Sequence, residues 1–283
     1  MPEAKPERVA FGTRLSEAMA AKGPLCVGID PHPQLLRNWG LADDTAGLRY
    51  FSQAVLQTVG PLAAALKPQV ALYERHGSAG IAVLEELLAD AAGAGVLTIA
   101  DAKRGDIGST MAAYADAWLR DGSALAADAV TLSPYLGFES LRPALELAAS
   151  SGRGVFVLAL TSNPEGASVQ HAGGKDSVAR RIVMSAAQEN LRSAVPMGPV
   201  GLVVGATVGT ALAELDIDLE ALHGPILAPG LGAQGATAAD IRRTFGAAYR
   251  QVLATSSRGI LAAGPDAAAL RTAVVQTIEE LRS

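Results

Sequence analysis

The sequence contains a single cysteine, Cys26, among 283 residues, so it can form neither an internal disulfide nor a thiolate metal cluster. Cys26 lies in the apolar run Leu25–Ile29, which favours a buried structural thiol over a reactive one. The four histidines are scattered and none pairs with another at metal-ligand spacing: His32, His76, His171 and His223. These features predict a protein without a disulfide framework and without a catalytic metal.

The chain also lacks a surplus of positive charge and a long apolar run. Its 23 Lys and Arg against 28 Asp and Glu give a formal net charge of −5, and no basic patch suggests a nucleic-acid partner. No uninterrupted apolar run reaches about 18 residues, the length that indicates a transmembrane helix. The first residues, MPEAKPERVAFGTRL, lack the apolar core of a secretion signal. We therefore expect a cytoplasmic protein without membrane or nucleic-acid partners.

What the chain does contain is a series of eight short apolar runs separated by alanine-rich amphipathic stretches. The runs are nearly continuous in hydrophobicity, as expected for parallel strands covered on both faces. The predicted strands are Leu25–Asp30, Ala64–Lys67, Val96–Ala102, Ala129–Ser133, Gly154–Leu160, Val200–Ala206, Pro225–Ala228 and Val252–Thr255. Because Pro68 cannot donate to a ladder, we expect the second strand to stop near Lys67.

Eight β-then-α units in this length predict an α/β fold, a single (β/α)8 barrel. We expect residues 1–283 to form one catalytic domain, with a short N-terminal extension before the first strand. A doubly wound open sheet is the second choice, but its usual G-x-G-x-x-G fingerprint is missing after the first strand.

Charged or amide side chains follow several of the predicted strands. Reactive groups of such barrels come from the C-terminal ends of the strands, and a charge near the core is costly unless it is paired. The residues at these ends are Asp30, Lys67, Asp101, Lys103, Asp106, Ser162, Gln234 and Arg258. Any one of them could be a structural ion pair, but the whole set predicts an active site.

The segment Asp101-x-Lys103-x-x-Asp106 is the most specific signal. The period of two along a strand places Asp101 and Lys103 on one face, and Asp106 follows in the turn before the next helix. Two carboxylates around one ammonium favour its protonated form, which suits Lys103 to donate a proton or to stabilise a developing negative charge. The plain alternative is a salt bridge at the barrel rim.

A second signal lies near the end of the chain. Gly230-x-Gly232-x-x-Gly235 follows the seventh strand and precedes a helix, and Arg258 follows the eighth strand. Barrels frequently build a phosphate site from these last two loops, where Gln234 and Arg258 could donate hydrogen bonds. Tight-turn glycines beside an exposed arginine would be the plain alternative. The long polar segment 161–176 is either a lid or a mobile surface loop.

The run ADAKRGDIGST resembles the signature of orotidine 5′-phosphate decarboxylases, in which D-x-K-x-x-D-I ends the third strand. Further resembling segments occur in the family's order across roughly residues 25–262: VGIDP, ALKPQVALYE, LTSNPEG, APGLGAQG and SSRGI. The length and the KPQ and SNPEG segments resemble the longer bacterial branch. The resemblance implies conversion of orotidine 5′-monophosphate to uridine 5′-monophosphate and CO2, the last step of pyrimidine synthesis, without cofactor or metal.

The resemblance also implies roles for individual residues. Lys103 would protonate C6 of the pyrimidine as CO2 leaves, Asp101 would face the substrate carboxylate, and Lys67 would join the charge array and touch the ribose. Asp106 and Thr110 would reach into a neighbouring subunit's site, which implies a homodimer. The implied binding residues are Asp30 for a ribose hydroxyl, Ser162 for the pyrimidine edge, and Gln234 and Arg258 for the phosphate.

Three other functions remain to be separated from this one. A metal-dependent sugar-phosphate decarboxylase or aldolase of the same barrel group would have a carboxylate on the second strand, where Lys67 would repel Mg²⁺. A Schiff-base aldolase using Lys103 would need a free amine, which the flanking carboxylates disfavour. A non-catalytic barrel that binds a phosphate ligand is the third, and the intact Asp101, Lys103 and Asp106 argue against it.

Overall fold

The computed structural model describes residues 8–193, 195–232 and 235–283. The strands are β1 Leu25–Ile29, β2 Ala65–Pro68, β3 Ile99–Arg104, β4 Ala129–Leu132, β5 Gly154–Leu160, β6 Val200–Val204, β7 Ile226–Pro229 and β8 Val252–Ser256. The α-helices are α1 Phe11–Lys22, α2 Pro33–Asn38, α3 Thr45–Val59, α4 Ala71–Glu74, α5 Gly77–Gly93, α6 Gly108–Leu119, α7 Arg142–Ser150, α8 Ala167–Gln170, α9 Val178–Asn190, α10 Ala211–Glu214, α11 Ala238–Phe245, α12 Arg258–Leu261 and α13 Ala267–Arg282.

The eight strands form one parallel sheet in the order β2-β1-β8-β7-β6-β5-β4-β3. The two ends of this order, β2 and β3, meet through parallel bridges between Leu66 and Thr98 and between Gln69 and Asp101. The sheet therefore closes on itself, which confirms the predicted (β/α)8 barrel. The doubly wound open sheet is wrong, because an open sheet would leave these two edge strands apart.

Strand β2 includes Pro68, one residue beyond the predicted end at Lys67. Pro68 is the last residue of the strand and pairs with Ile29, while the next donor, the Gln69 N–H, binds the Ile29 carbonyl at 3.1 Å. A proline at a strand end removes one donor without interrupting the ladder, so the strand tolerates it.

The barrel interior is filled by one apolar side chain from each strand. Period-two alternation points these side chains inward, where they form a cluster separate from the larger core between sheet and helices. The inward residues are Cys26, Ala65, Ile99, Ala129, Phe156, Val203, Leu227 and Leu253. Burial of Cys26 raises the pKa of its thiol to about 12, as expected for a structural cysteine.

Helix α1 closes the N-terminal end of the barrel. The Phe11 ring packs edge-on against Phe156 with ring centroids 6.0 Å apart, and Leu15 joins the interior cluster. Gly154 allows this close approach, since a Cβ on it would lie 2.2 Å from the Phe11 ring. With this end closed by packing, the opposite, C-terminal end of the barrel is left for a ligand.

None of the described helices combines the length and the apolar character needed to cross a membrane.

Candidate active site

A polar layer lies directly above the apolar layer of the barrel interior. Lys67, Asp101, Thr131 and Thr255 each follow an inward apolar residue by two positions, so the strand period points them inward as well. All four are buried. Burying these polar groups in the barrel requires that they bind one another or a ligand.

Asp101 is the centre of this layer and accepts four hydrogen bonds. Oδ2 accepts from Lys67 Nζ at 2.8 Å and from Gln69 Nε2 at 3.0 Å. Oδ1 accepts from Lys103 Nζ at 2.5 Å and from Thr131 Oγ1 at 3.0 Å. A carboxylate offers about four lone-pair sites, so the acceptor capacity of Asp101 is filled.

Strand β3 is irregular where it carries these residues. Its register with β4 passes from Ala100 opposite Val130 to Arg104 opposite Leu132, so three β3 residues stand where β4 has one. Lys103 lies in this bulge with φ 48°, in the left-handed region that L residues rarely adopt. Bulges re-aim side chains next to active sites, and here the bulge places Lys103 half-exposed at the cavity while Asp101 stays buried.

The charges of the cluster hold one another in their ionised forms. Burial alone would raise the pKa of Asp101, but the ammonium groups of Lys67 and Lys103 outweigh it and hold that pKa well below its usual value. Burial alone would lower the pKa of Lys67, but Asp101 and Asp30 outweigh it and raise that pKa. The buried carboxylate and the buried ammonium are therefore both charged at neutral pH.

The cluster lines a cavity of about 330 Å³ at the C-terminal end of the barrel, a size that accepts a small molecule. Several polar groups face it from β1, β2, β3, β5 and β8 and the loops that follow: Asp30, His32, Lys67, Gln69, Asp101, Lys103, Thr161, Thr255, Ser257 and Arg258. Leu158, Val203, Leu227 and Pro229 supply an apolar side.

Three buried oxygen atoms at this cavity have no hydrogen-bond partner among the described residues: Asp30 Oδ1, Thr255 Oγ1 and Ser257 Oγ. Asp30 Oδ1 and Ser257 Oγ lie beside Gly28, where an added Cβ would be 3.1 Å from each atom. Gly28 thus leaves room for both. Buried polar atoms without partners carry a desolvation cost, so these oxygens are available to hydrogen-bond a polar ligand in the cavity.

The structure brings together part of the predicted site. Asp30, Lys67, Asp101, Lys103 and Arg258 all line the cavity. The remaining described residues, Asp106, Thr110 and Ser162, lie outside its lining. Gln234 lies outside the described residues.

Asp106 and Thr110 belong to the segment between β3 and the start of α6. Asp106 is half-buried, with Oδ1 accepting the backbone N–H of Ile107 at 2.8 Å, and Thr110 is exposed in the first turn of α6. Neither lines the cavity that Lys103 lines, so the cavity of this chain alone does not include them.

The predicted phosphate loops lie side by side at the cavity rim. Gly230, Gly232 and Gly235 have φ values of 121°, 77° and 93°, so the turn needs glycine at each position whatever it binds. Arg258 is exposed at the start of α12, and Gly230 and Arg258 line the same cavity. The turn and the arginine can therefore both contact one ligand group.

The segment 161–176 folds into short helical turns, Pro164–Gly166, α8 and Gly174–Asp176. Its base is tied by Gln170, whose Oε1 accepts the Thr161 N–H at 2.8 Å and whose Nε2 donates to Thr161 Oγ1 at 2.7 Å. Ser162, the predicted pyrimidine contact, is exposed beside Gly205. The segment 161–176, called the flap below, is thus compact and tied at its base to the end of β5.

Sequence reasoning missed several groups of the site. Gln69 follows Lys67 by two positions, so the strand period places Gln69 on the same face as Lys67. Gln69 was not predicted, because the second strand was expected to end at Lys67. Thr131 had no signal, because a threonine in the run Ala129–Leu132 is typical of any strand. Thr255 and Ser257 also had no signal, because hydroxyl side chains at the end of a strand are common in any protein.

Among the described residues, no group of three or more His, Cys, Asp or Glu side chains is placed to hold a metal ion.

Comparisons with known proteins agree with this geometry. Residues 23–273 match the family model described as orotidine 5′-phosphate decarboxylase / HUMPS family. A Streptomyces coelicolor protein named orotidine 5′-phosphate decarboxylase is 54% identical over 275 residues, covering 96% of this chain and 97% of its own length. A protein of the same name from Salinispora arenicola is 54% identical over 276 residues, covering 97% and 98% of the two chains.

Solved structures show the same relationship. A Streptomyces avermitilis protein, provisionally assigned as orotidine 5′-phosphate decarboxylase, superposes with a TM-score of 0.93 at 56% identity, covering 98% of this chain and 96% of its own. The OMP decarboxylase of Leishmania donovani superposes with a TM-score of 0.77 at 31% identity, covering 97% and 98%. These findings confirm the predicted fold and the predicted decarboxylase relationship, and they give no support to the sugar-phosphate or non-catalytic alternatives. The chain belongs to the orotidine 5′-phosphate decarboxylase / HUMPS family.

Proposed function

We propose that this protein converts orotidine 5′-monophosphate to uridine 5′-monophosphate and CO2, a step of pyrimidine synthesis, and that residues 1–283 form one catalytic domain for it. The observation that carries the proposal is the cluster of Lys67, Asp101 and Lys103 at the C-terminal mouth of the barrel. Asp101 forms ion pairs with Lys67 at 2.8 Å and with Lys103 at 2.5 Å. The cluster places a positive charge beside a fixed negative one in a nucleotide-sized cavity.

Loss of CO2 leaves negative charge on C6 of the pyrimidine, with no carbonyl sink in conjugation with it. Lys103 Nζ is fixed by Asp101 and half-exposed to the cavity, so it stabilises this charge without reorganising and then donates the proton to C6. The proton comes from the ammonium, and CO2 takes the substrate's carboxylate atoms. Lysine is left as the neutral amine and is reprotonated from water.

Asp101 acts on the substrate through its charge. Its four acceptor sites are filled and its pKa is held well below its usual value, so it can neither accept a proton from the substrate nor turn away. A substrate carboxylate that approaches Lys103 therefore meets a fixed negative charge, and its departure as CO2 relieves that repulsion. Lys67 balances Asp101 and lies where a ribose hydroxyl can bind it.

The remaining groups hold the nucleotide in place. Asp30 Oδ1, which lacks a partner among the described residues, accepts a ribose hydroxyl, and Arg258 binds the phosphate with Gln234. Ser162 reaches the pyrimidine edge when the flap 161–176 closes. Because the phosphate is remote from the bond that breaks, its binding energy can drive this closure.

The proposed enzyme is a homodimer whose sites are shared. Asp106 and Thr110 lie outside the lining of their own cavity, and three exposed apolar side chains lie on the same and the neighbouring loop: Ile107, Tyr135 and Leu136. The two loops touch, since a Cβ on Gly105 would lie 2.3 Å from the Ser133 carbonyl oxygen. A second copy would cover this patch and bring its own Asp106 and Thr110 to the neighbouring site. The substrate is the only other partner proposed, and the location proposed is the cytoplasm.

The first experiment is an ultraviolet absorbance assay of purified protein with orotidine 5′-monophosphate, with and without EDTA pretreatment. We expect equal turnover in both samples, because Lys103 and Asp101 supply the electrostatics that a metal would otherwise provide. Activity lost with EDTA and restored by Mg²⁺ would show that the reaction depends on a metal, which contradicts the metal-free mechanism proposed. Absence of turnover in the untreated protein would overturn the proposal.

The second experiment tests the shared site by coexpressing Lys103→Ala and Asp106→Ala chains. Each variant alone should be nearly inactive, whereas mixed dimers contain one site with Lys103 from one subunit and Asp106 from the other. Random pairing predicts recovery of about a quarter of wild-type activity. No recovery, with dimers shown by light scattering, would place both residues in the same subunit's site.

A further inference from the structure

Thr131 lies at the centre of the bulge that aims Lys103, although it does not line the cavity. On β4 it stands opposite the three β3 residues between Ala100 and Arg104, where the regular register is lost. Thr131 is 1% exposed, so it is enclosed by the barrel wall and by its neighbours. Thr131 can therefore reach the substrate only through the residues it contacts.

The Thr131 hydroxyl bridges the backbone and the side chain of the catalytic segment. Oγ1 accepts the backbone N–H of Lys103 at 2.9 Å and donates its own proton to Asp101 Oδ1 at 3.0 Å. The Lys103 N–H thus donates to a side-chain hydroxyl of β4, at a place where the regular register between β3 and β4 is lost. The hydroxyl binds the same carboxylate oxygen that holds Lys103 Nζ.

This bridge holds the backbone of Lys103 in a left-handed conformation that is strained for a residue with a side chain. Lys103 has φ 48°, and a side-chain-bearing residue persists there only when its surroundings hold it. If its backbone relaxed to an ordinary β conformation, the bulge would be lost and the Lys103 side chain would no longer be held half-exposed at the cavity. The Thr131 hydroxyl opposes this by fixing the amide of Lys103 and the orientation of the Asp101 carboxylate together.

We propose that Thr131 is a positioning residue for decarboxylation, whose hydroxyl locks the β3 bulge and so aims the Lys103 ammonium at the reacting carbon. The inference rests on the proposed function, in which Lys103 is the proton donor. Thr131 contributes to the transition state through Lys103 and Asp101, and it contributes little to nucleotide binding.

The test replaces Thr131 by valine, which keeps the shape and removes both hydrogen bonds. We expect kcat to fall about 10- to 100-fold while KM changes less than about threefold, since the lost bonds serve a charged group that acts in the transition state. Thr131→Ser keeps the hydroxyl and should retain kcat within about threefold of wild type. Should Thr131→Val not fold, Thr131→Ala is measured instead, with the same expected loss of kcat.

The matched control is Thr98→Val at the other end of the barrel. Thr98 is also buried, and its hydroxyl also contacts a carboxylate, Asp128 Oδ2 at 3.4 Å. We expect it to leave kcat and KM unchanged. If Thr98→Val lost as much kcat as Thr131→Val, the loss in Thr131→Val would be explained by a general loss of stability. That result would overturn the inference.

Two further outcomes would also overturn it: wild-type kcat in Thr131→Val, or an equal loss in Thr131→Val and Thr131→Ser. If wild-type protein turns over the substrate while Thr131→Val is unaltered, only the role of Thr131 fails. If wild-type protein itself shows no turnover, the proposed function fails and this inference fails with it.

Discussion

The two ends of the barrel both contain paired charges, but the pairs are built differently. At the N-terminal end, Arg14 Nη1 lies 2.5 Å from Asp128 Oδ1, and both residues also bind the backbone. Arg14 Nη2 donates to the Gly152 carbonyl at 3.0 Å, and Asp128 Oδ2 accepts the Thr98 N–H at 2.9 Å. Arg153 likewise donates to the Ala127 carbonyl. These charges join strands to loops.

At the C-terminal end, the charged side chains bind one another. Lys67 and Lys103 both donate to Asp101, and the other two donors to Asp101 are also side chains. The strand is irregular there, and three buried oxygens nearby have no partner among the described residues. Charges tied to the backbone stabilise the fold, whereas the side-chain cluster at the irregular strand leaves the half-exposed Lys103 ammonium available to a ligand.

The largest effect expected from this comparison is that of Lys103→Ala. Removing the ammonium takes away both the electrostatic stabilisation and the proton, so kcat should fall by about 10³-fold or more. The fold should persist, because Lys103 is half-exposed. Turnover by ultraviolet absorbance, with circular dichroism as a check of folding, measures this.

The matched control for that variant is Lys22→Ala at the N-terminal end, where Lys22 donates to the Gly60 carbonyl at 3.3 Å. Its kcat should equal that of wild type. Near-normal turnover in folded Lys103→Ala protein would contradict the mechanism, whatever the control shows.

Asp101→Asn should have the next largest effect on turnover, and it should also lower the unfolding free energy. It leaves the buried ammonium of Lys67 without its counter-ion, which costs about 3–5 kcal/mol of unfolding free energy. We also expect kcat to fall about 100-fold or more, because Lys103 loses the carboxylate that positions it. Urea unfolding and steady-state kinetics measure the two losses.

The pH dependence of that stability difference follows from the pKa of Asp101. Its folded-state pKa is held below the ordinary value of 3.8, so the wild-type charge stabilises the fold above that value. This contribution is lost as the pH falls below 3.8 toward the folded-state pKa. The difference between wild type and Asp101→Asn should therefore be constant from pH 5 to 8 and shrink in acid. A difference that already shrinks near pH 6 would contradict the assigned direction.

The same contrast between the ends explains what the sequence could predict. Eight continuous apolar runs indicate strands buried on both faces, and the barrel followed from the number of these runs, the amphipathic stretches between them and the length of the chain. The pairing of Asp101 with Lys103 followed from the strand period. The bulge at Lys103 could not be predicted, because it arises from the register between β3 and β4, which adjacent residues do not encode. Thr131 was missed for the same reason, since its role depends on the strand that lies beside it.

A moderate effect is expected for Arg258→Ala, which follows β8 at the C-terminal end. Loss of a guanidinium that binds phosphate should lower kcat/KM about 10- to 100-fold, with KM raised and kcat reduced through weaker closure of the flap. The control is Arg250→Ala, which precedes β8 at the other end and pairs with Glu220 on the surface. An unchanged KM in Arg258→Ala, or an equal change in Arg250→Ala, would remove Arg258 from the phosphate site.

The smallest effect on turnover is expected for Asp128→Asn, which acts on the N-terminal end alone. The amide keeps the shape of the carboxylate but loses the charge that binds Arg14, and the site is mostly buried. The unfolding free energy should fall by about 1–3 kcal/mol. kcat and KM should stay at wild-type values, since the Lys67–Asp101–Lys103 cluster shares no hydrogen bond with Asp128 among those described. Urea unfolding beside the absorbance assay tests both parts. If kcat fell in proportion to the unfolding free energy, the two ends would be energetically coupled. The geometry of the active site would then depend on the rigidity of the whole barrel.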